Sequence, residues 1–164
     1  MAMKDTIQEK EEKEEAKPRE KDSKKEQRPD PSSVYFAGVG RRKTAVSRAR
    51  LFAVSEESQA TILINEKPGD VYFPTASLRQ IFLAPLQLLG LENRFRISVH
   101  VRGGGPVGQA SATSLALSRA LVTLNAEHRS LLKSGKFLSR DSRKVERKKP
   151  GLKKARRAPQ WSKR

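Results

Sequence analysis

The stretch RFRISVHVRGGGPVGQASATSLALSRALVTL, Arg94 to Leu124, decides the fold. In its first part Phe95, Ile97, Val99 and Val101 alternate with arginine, serine and histidine, the pattern of a strand with one buried face. The other face of that strand is strongly cationic and could be buried only at high cost. The second part repeats apolar residues every three or four positions, which predicts an amphipathic helix after the glycine loop.

Further strands and helices are expected on both sides of this unit. VYFAGV, AVSRARLFA and ATILIN read as three strands, the last closed by a turn at Pro68-Gly69. A helix is expected from about Thr75, which Pro85 would end or restart and Gly90 would stop, and a short last helix should stop at Gly135. The expected fold class is α/β, a two-layer sandwich in which a mixed sheet of about four strands carries its helices on one face.

Charge divides the chain into three parts. Residues 1–33 hold 9 basic and 10 acidic residues and little that could be buried, so they are predicted to be a disordered N-terminal extension. Residues 34–139 hold 14 basic and 6 acidic residues and are the expected globular domain. Residues 140–164 hold 12 basic and 2 acidic residues and are the expected extended tail, because like charges and two prolines oppose a continuous helix.

The formal net charge of +17 implies a polyanionic partner, most often nucleic acid and less often an anionic membrane surface. The longest apolar run is too short to cross a bilayer and is broken by a proline. The N-terminus resembles neither a secretory signal nor an acid-poor transit peptide, so a cytoplasmic location is expected. The absence of cysteine excludes disulfides and thiolate metal sites.

Two glycine-containing motifs are candidate phosphate sites. A tight turn between strands is expected to carry Arg41, Arg42 and Lys43, and cations clustered there would bind phosphate. The simpler alternative is a run of charges that contacts only solvent. The loop Gly103–Ser111 could bind an RNA backbone, pack closely on the sheet, or serve a small-molecule kinase or other nucleotide-binding enzyme. It is not a Walker A loop, since no GK[ST] follows.

Nothing else in the sequence indicates catalysis. His100 and His128 are the only histidines, neither has a second ligand at metal spacing, and both are expected to be ordinary surface or edge residues. No Ser/His/Asp set and no pair of carboxylates suggests catalysis. We therefore expect that the protein is not an enzyme and that it binds neither a metal ion nor a cofactor.

The end of the tail, GLKKARRAPQWSKR, is the most specific feature. Trp161 can stack on a base or ribose, while Arg156, Arg157 and Arg164 can each bind a phosphate with two hydrogen bonds. A merely solubilising tail would need no aromatic residue.

Together YFAGVGRRKTAVSRARLF, GGGPVGQASA and SRDSRKVERKKPGLKKARRAPQWSKR resemble the small-subunit ribosomal protein S nine family of bacterial or organellar type. The resemblance covers Val34 to Arg164 and implies the fold of the second domain of ribosomal protein S five. It also implies a place in the head of the small subunit, with small-subunit ribosomal RNA (rRNA), neighbouring head proteins and the transfer RNA (tRNA) of the peptidyl (P) site as partners.

The resemblance also implies site residues. The tRNA-contacting residues would be Ser162, Lys163 and Arg164. The rRNA-binding residues would be those that match RNA-facing positions of the family, together with charged neighbours in the tail and the tail tryptophan. They are Arg41, Arg42, Lys43, Gly103, Gly104, Gly105, Arg147, Lys148, Lys149, Lys153, Lys154, Arg156, Arg157 and Trp161.

Two departures and two alternatives accompany the resemblance. Trp161 stands where the family usually has phenylalanine, and Thr113–Ala116 replaces a stretch that usually carries an arginine and a glycine, so one basic contact is expected to be missing. A histone-like protein would bind duplex DNA as well as structured RNA. A nucleotide-dependent enzyme would bind ATP saturably at the glycine loop.

Overall fold

The computed structural model describes residues 34–53 and 61–162. The expected disordered extension, residues 1–33, lies outside the described residues, and so does the first residue of the predicted strand ATILIN.

One mixed sheet forms one layer of the fold, as predicted. Its strand order is β1-β2-β5-β3-β4, and all neighbours are antiparallel except the parallel pair β3 and β5. The four predicted strands are present, and a two-residue strand that was not predicted extends the sheet. The bounds are β1 Tyr35–Arg42, β2 Ala45–Ala53, β3 Ile62–Ile64, β4 Lys67–Pro68 and β5 Phe95–Arg102.

The turn after β3 differs from the prediction. It lies at Asn65 and Glu66, whose φ angles are 49° and 66°, and not at Pro68-Gly69. Asparagine is one of the few residues other than glycine that adopt this left-handed backbone, and here its side chain is held by the distant strand β5: its Nδ2 donates to the Val101 carbonyl and its Oδ1 accepts from the Val101 N–H, both at 2.8 Å. The side-chain amide thus extends the β3–β5 pairing by one residue.

Four helices accompany the sheet within the described residues: α1 Gly69–Tyr72, α2 Ala76–Leu89, α3 Pro106–Leu124 and α4 His128–Ser134. Thr75 precedes α2 and Gly90 ends it with φ of 64°, as predicted. The prediction that Pro85 ends or restarts the helix is wrong, because α2 continues through it. Pro85 and its neighbour Leu86 are fully buried, and this packing offsets the cost of about 3 kcal/mol for a proline in a helix interior.

Helix α3 packs directly on β1 at two strand glycines. A Cβ built on Gly38 would lie 2.1 Å from the Ala116 carbonyl oxygen, and one on Gly40 would lie 1.9 Å from the Ala112 carbonyl oxygen. No side chain fits in that space, so these two glycines and the alanines facing them set the distance between helix and sheet.

Helix α3 is buried on more sides than an amphipathic helix would be. Every residue from Ala112 to Ser118 is buried, while the apolar Val107 in the first turn is 55% exposed. The Thr113 and Ser47 hydroxyls lie 3.2 Å apart and bond within the core. The residues Thr113–Ala116, which depart from the usual family sequence, therefore lie in the packed interior of the domain.

The helices cover one face of the sheet. Along β5, Phe95, Ile97, Val99 and Val101 are buried in the core, and the residues between them point the other way. The cationic side chains of β2 and β5 therefore lie on the sheet face opposite the helices.

Candidate nucleic-acid interface

The turn between β1 and β2 carries the first predicted site. The strand β1 runs through Arg42, so the turn is at Lys43 and Thr44 and not at the glycine. Gly40 is a strand residue whose role is helix packing, which corrects the prediction of a glycine turn at GRRK. Arg41 and Lys43 are exposed, and Lys43 takes the left-handed φ of 52°.

Arg42 does not point freely into solvent; it fixes the start of the tail. Its Nη2 lies 2.8 Å from Asp141 Oδ2, and its Nη1 donates to the Arg143 carbonyl at 2.8 Å. The Arg42 side chain is 21% exposed and that of Asp141 is 32% exposed. The C-terminal tail therefore leaves the domain from the β1–β2 end of the sheet.

Asp141 is held as a carboxylate at this junction. Its oxygens accept from the Arg143 guanidinium at 2.8–3.2 Å and from the Arg143 N–H at 2.9 Å. These hydrogen bonds, with the charges of Arg143 and Arg42, lower the pKa of Asp141 from 3.8 to about 2. The junction is thus fully charged at neutral pH.

The tail contains no helix or strand from Ser139 to Ser162. Within it, Glu146 accepts from Lys149 and from Arg156, each at 2.8 Å, and both contacts lower the pKa of Glu146. The Lys153 N–H also donates to the Arg157 carbonyl at 2.7 Å. Both acidic residues of the tail are therefore paired with tail or domain cations.

The predicted tail cations are all exposed where the structure describes them. They are Arg147, Lys148, Lys149, Lys153, Lys154, Arg156 and Arg157. Trp161 is 83% exposed, with its ring in solvent. Ser162 is exposed as well, while Lys163 and Arg164 lie outside the described residues.

The glycine loop is shaped by packing. Gly103 and Gly104 have φ of 73° and 68°, and Cβ atoms there would lie 2.7 Å from the Thr44 carbonyl oxygen and 2.9 Å from the Ala45 Cβ. The loop thus packs on the β1–β2 turn, one of the readings the sequence left open. Gly105 precedes α3 with free space around it, and Pro106 is the first helical residue.

These contacts bring three predicted sites to one end of the sheet. The glycine loop touches Thr44, and Arg42 beside that turn binds Asp141 and Arg143 of the tail. For the tail end up to Ser162, no hydrogen bond or ion pair joins it to this cluster.

One cationic surface lies outside the predicted sites. Arg48, Arg50, His100 and Arg102 are exposed on β2 and β5, on the open face of the sheet. The alternation of these cationic residues with buried residues along β2 and β5 is the sequence signal for this surface. His128 is half-buried at the start of α4, and no cluster of metal-ligating side chains occurs among the described residues.

A family model described as Ribosomal protein S9/S16 matches residues 40–164. The chain belongs to this family of small-subunit ribosomal proteins. It is 47% identical over 134 residues to the small ribosomal subunit protein uS9 of Synechocystis sp., covering 81% of this chain and 95% of the relative. It is 48% identical over 132 residues to the uS9c protein of Pyropia yezoensis, covering 80% and 93%.

A third relative is uS9 of Corynebacterium efficiens, 52% identical over 126 residues, which are 77% of this chain and 67% of the relative. Membership in the S9/S16 family confirms that the chain is a structural ribosomal constituent acting in translation and not an enzyme. Among the described residues, no helix has both the length and the apolar character to span a bilayer.

Proposed function

We propose that the chain is a constituent of the small-subunit head that binds small-subunit rRNA and reaches P-site tRNA with the end of its tail. The observation that carries this proposal is the tail itself. The tail has 12 basic and 2 acidic residues. Where the structure describes it, it is mostly exposed, and Arg42 and Asp141 fix its start to the domain.

The tail suits a path along RNA phosphates. Its two carboxylates are already occupied by arginines and lysine, so they leave Lys144, Arg147, Lys148 and other cations to external anions. The like charges of such a segment repel one another, so it becomes ordered only when it binds a polyanion. Each phosphate neutralised would steepen the fall of log K with log salt by roughly 0.7–0.9.

The junction supports a defined direction for the tail. Arg42 binds both the side chain of Asp141 and the backbone of Arg143, so the first residues of the tail are held against the domain. Pre-ordering of this segment would reduce the entropy lost when the tail binds RNA. We therefore place Arg42 as a positioning residue, whereas the exposed Arg41 and Lys43 are available to phosphate.

The tip of the tail suits tRNA because of its composition. Trp161 offers an aromatic face to a base or ribose, and Ser162, Lys163 and Arg164 offer hydrogen-bond donors to a phosphate backbone. Charge-assisted hydrogen bonds are worth roughly 1.5–3 kcal/mol each before solvent screening. A few such contacts would stabilise tRNA that is already held by other parts of the ribosome.

Neighbouring head proteins complete the proposed set of partners, and a cytoplasmic ribosome stays a prediction. Cell fractionation followed by detection of the chain in cytoplasmic or organellar ribosomes tests that location.

The experiment on the tail is deletion of Ser162–Arg164 in otherwise intact small subunits. The shortened chain should remain in subunits washed at high salt in a sucrose gradient, because its rRNA contacts are retained. The dissociation constant of P-site tRNA should rise about tenfold, which equals about 1.4 kcal/mol.

A matched control removes two positive charges from the domain, in the variant Arg129→Gln/Lys133→Gln on the exposed side of α4. It should leave tRNA affinity unchanged. Unchanged tRNA affinity and start-codon fidelity in the deletion would contradict the tRNA contact, while loss of the full-length chain from washed subunits would contradict the rRNA contact.

A further inference from the structure

The open face of the sheet carries a strip of cations across β2 and β5. The register places Arg48 opposite His100, Arg50 opposite Ser98, and Val46 opposite Arg102. The side chains at alternate positions of the two strands, among them Arg48, Arg50, Ser98, His100 and Arg102, line a groove of about 300 Å³. The helices pack on the opposite face, so none of them closes this groove.

No carboxylate of the sheet strands balances these charges. The sequences of β1, β2 and β5 contain no aspartate or glutamate. The ion pairs of Asp70, Asp141 and Glu146 involve none of the arginines of the strip. Three guanidinium groups therefore lie on one surface with their charge uncompensated by the strands around them.

The side chains of the strip suit a phosphodiester backbone. A guanidinium presents paired donors that match two oxygens of one phosphate, and serine and histidine add single donors. Arg48 and Arg50 are two residues apart on one strand, and therefore about 6.6 Å apart along it, so they can reach different phosphates. The Arg50 guanidinium also lies 5.1 Å from the centre of the Tyr35 ring, which limits its freedom before any ligand arrives.

The surface fits RNA better than it fits a protein. The centre of a stable protein interface is apolar and depleted of charge. Here three arginines and a histidine line the groove, among them the cross-strand pair Arg48 and His100. The two apolar lining residues, Val46 and Val101, are half-buried and buried.

We propose that this groove is a second RNA-binding site, separate from the tail, in which Arg48 and Arg102 bind phosphates of small-subunit rRNA and Arg50, Ser98 and His100 assist. This inference rests on the proposed function, in that the chain binds rRNA. It assigns part of that binding to residues outside the tail and the β1–β2 turn.

The first test compares salt dependence of binding to purified small-subunit rRNA. Four full-length or shortened chains are used: the unaltered chain, Arg48→Gln/Arg102→Gln, the control Arg129→Gln/Lys133→Gln, and a chain ending at Ser139. The sheet variant should reduce the slope of log K against log salt by about 1.5, since two phosphate contacts are lost. The control, which loses the same charge on exposed α4, should keep the slope of the unaltered chain.

The outcomes separate the two proposals. A sheet variant whose slope equals that of the control, while the chain ending at Ser139 loses slope, overturns the groove and leaves the proposed function standing. An unaltered chain that does not bind rRNA overturns both. Circular dichroism and thermal unfolding confirm that each variant is folded before its slope is read.

The second test identifies the occupant inside assembled subunits. A photoreactive benzoylphenylalanine in place of Ser98, in the groove, should crosslink to rRNA under ultraviolet light. Crosslinks to a ribosomal protein alone would overturn the proposal and assign the groove to a protein neighbour.

Discussion

At the scale of single residues, the junction between domain and tail depends on Asp141. Its carboxylate accepts from Arg143 and pairs with Arg42. Composition identified Asp141 only as one of two acids in a basic tail, because sequence cannot show which distant arginine a carboxylate will face. The same holds for Arg42, which the motif GRRK offered as a phosphate ligand and the structure turns toward the tail.

The titration of Asp141 gives a residue-scale prediction. Its pKa in the folded chain, about 2, lies below the ordinary value of 3.8, so the junction is fully formed above about pH 4 and is lost as the pH falls through 2. The Arg143 amide proton, which bonds to Asp141 Oδ1, should shift in NMR spectra with a midpoint near pH 2.

Two substitutions check the cause of that midpoint. Arg143→Gln should move it toward 3.8, and Arg42→Gln should move it less, because the hydrogen bonds from Arg143 are the largest cause of the lowered pKa. A midpoint near 4 in the unaltered chain would show that Asp141 does not accept the hydrogen bonds of Arg143 in solution.

At the scale of elements, periodicity predicted most of the fold. Alternation identified the four longer strands and the buried face of β5, and the spacing of apolar residues identified α2 and α3. Sequence could not predict that Gly38 and Gly40 face the backbone of α3, since close approach depends on which elements meet. It also misjudged Pro85, because burial of a proline in α2 is decided by tertiary packing.

The contact between β1 and α3 gives an element-scale prediction. Gly40→Ala would force a methyl group to within 1.9 Å of the Ala112 carbonyl, so helix and strand must separate. We expect the free energy of unfolding to fall by about 3 kcal/mol, measured by urea denaturation.

Gly108→Ala is the matched control for this change. Its Cβ would meet the Arg42 carbonyl oxygen at 3.6 Å and the Ala45 Cβ at 3.7 Å, which are ordinary contacts, and alanine favours a helix over glycine by about 1 kcal/mol. This variant should be as stable as the unaltered chain or more so. Equal stability of the two variants would contradict the close packing at β1.

At the scale of the whole molecule, charge predicted the kind of partner and the fold predicts where contacts lie. The basic tail was evident from composition, and its resemblance to the S nine family is confirmed by the family match. The glycine loop was ambiguous in sequence because glycines serve both ligand approach and close packing. The described contacts explain Gly103 and Gly104 by packing on the β1–β2 turn, which leaves the tail and the open sheet face as the main cationic surfaces.

The most direct measurement of the central claim is a crosslink from the end of the tail. Small subunits carrying benzoylphenylalanine in place of Ser162, with tRNA bound in the P site, would be irradiated and the attached RNA identified. The same group at Val145, 91% exposed near the start of the tail, is the control and should label rRNA whether or not tRNA is present. Position 162 should label the anticodon arm of the tRNA. Labelling of rRNA or ribosomal proteins alone, with tRNA in place, would contradict the proposed tRNA contact.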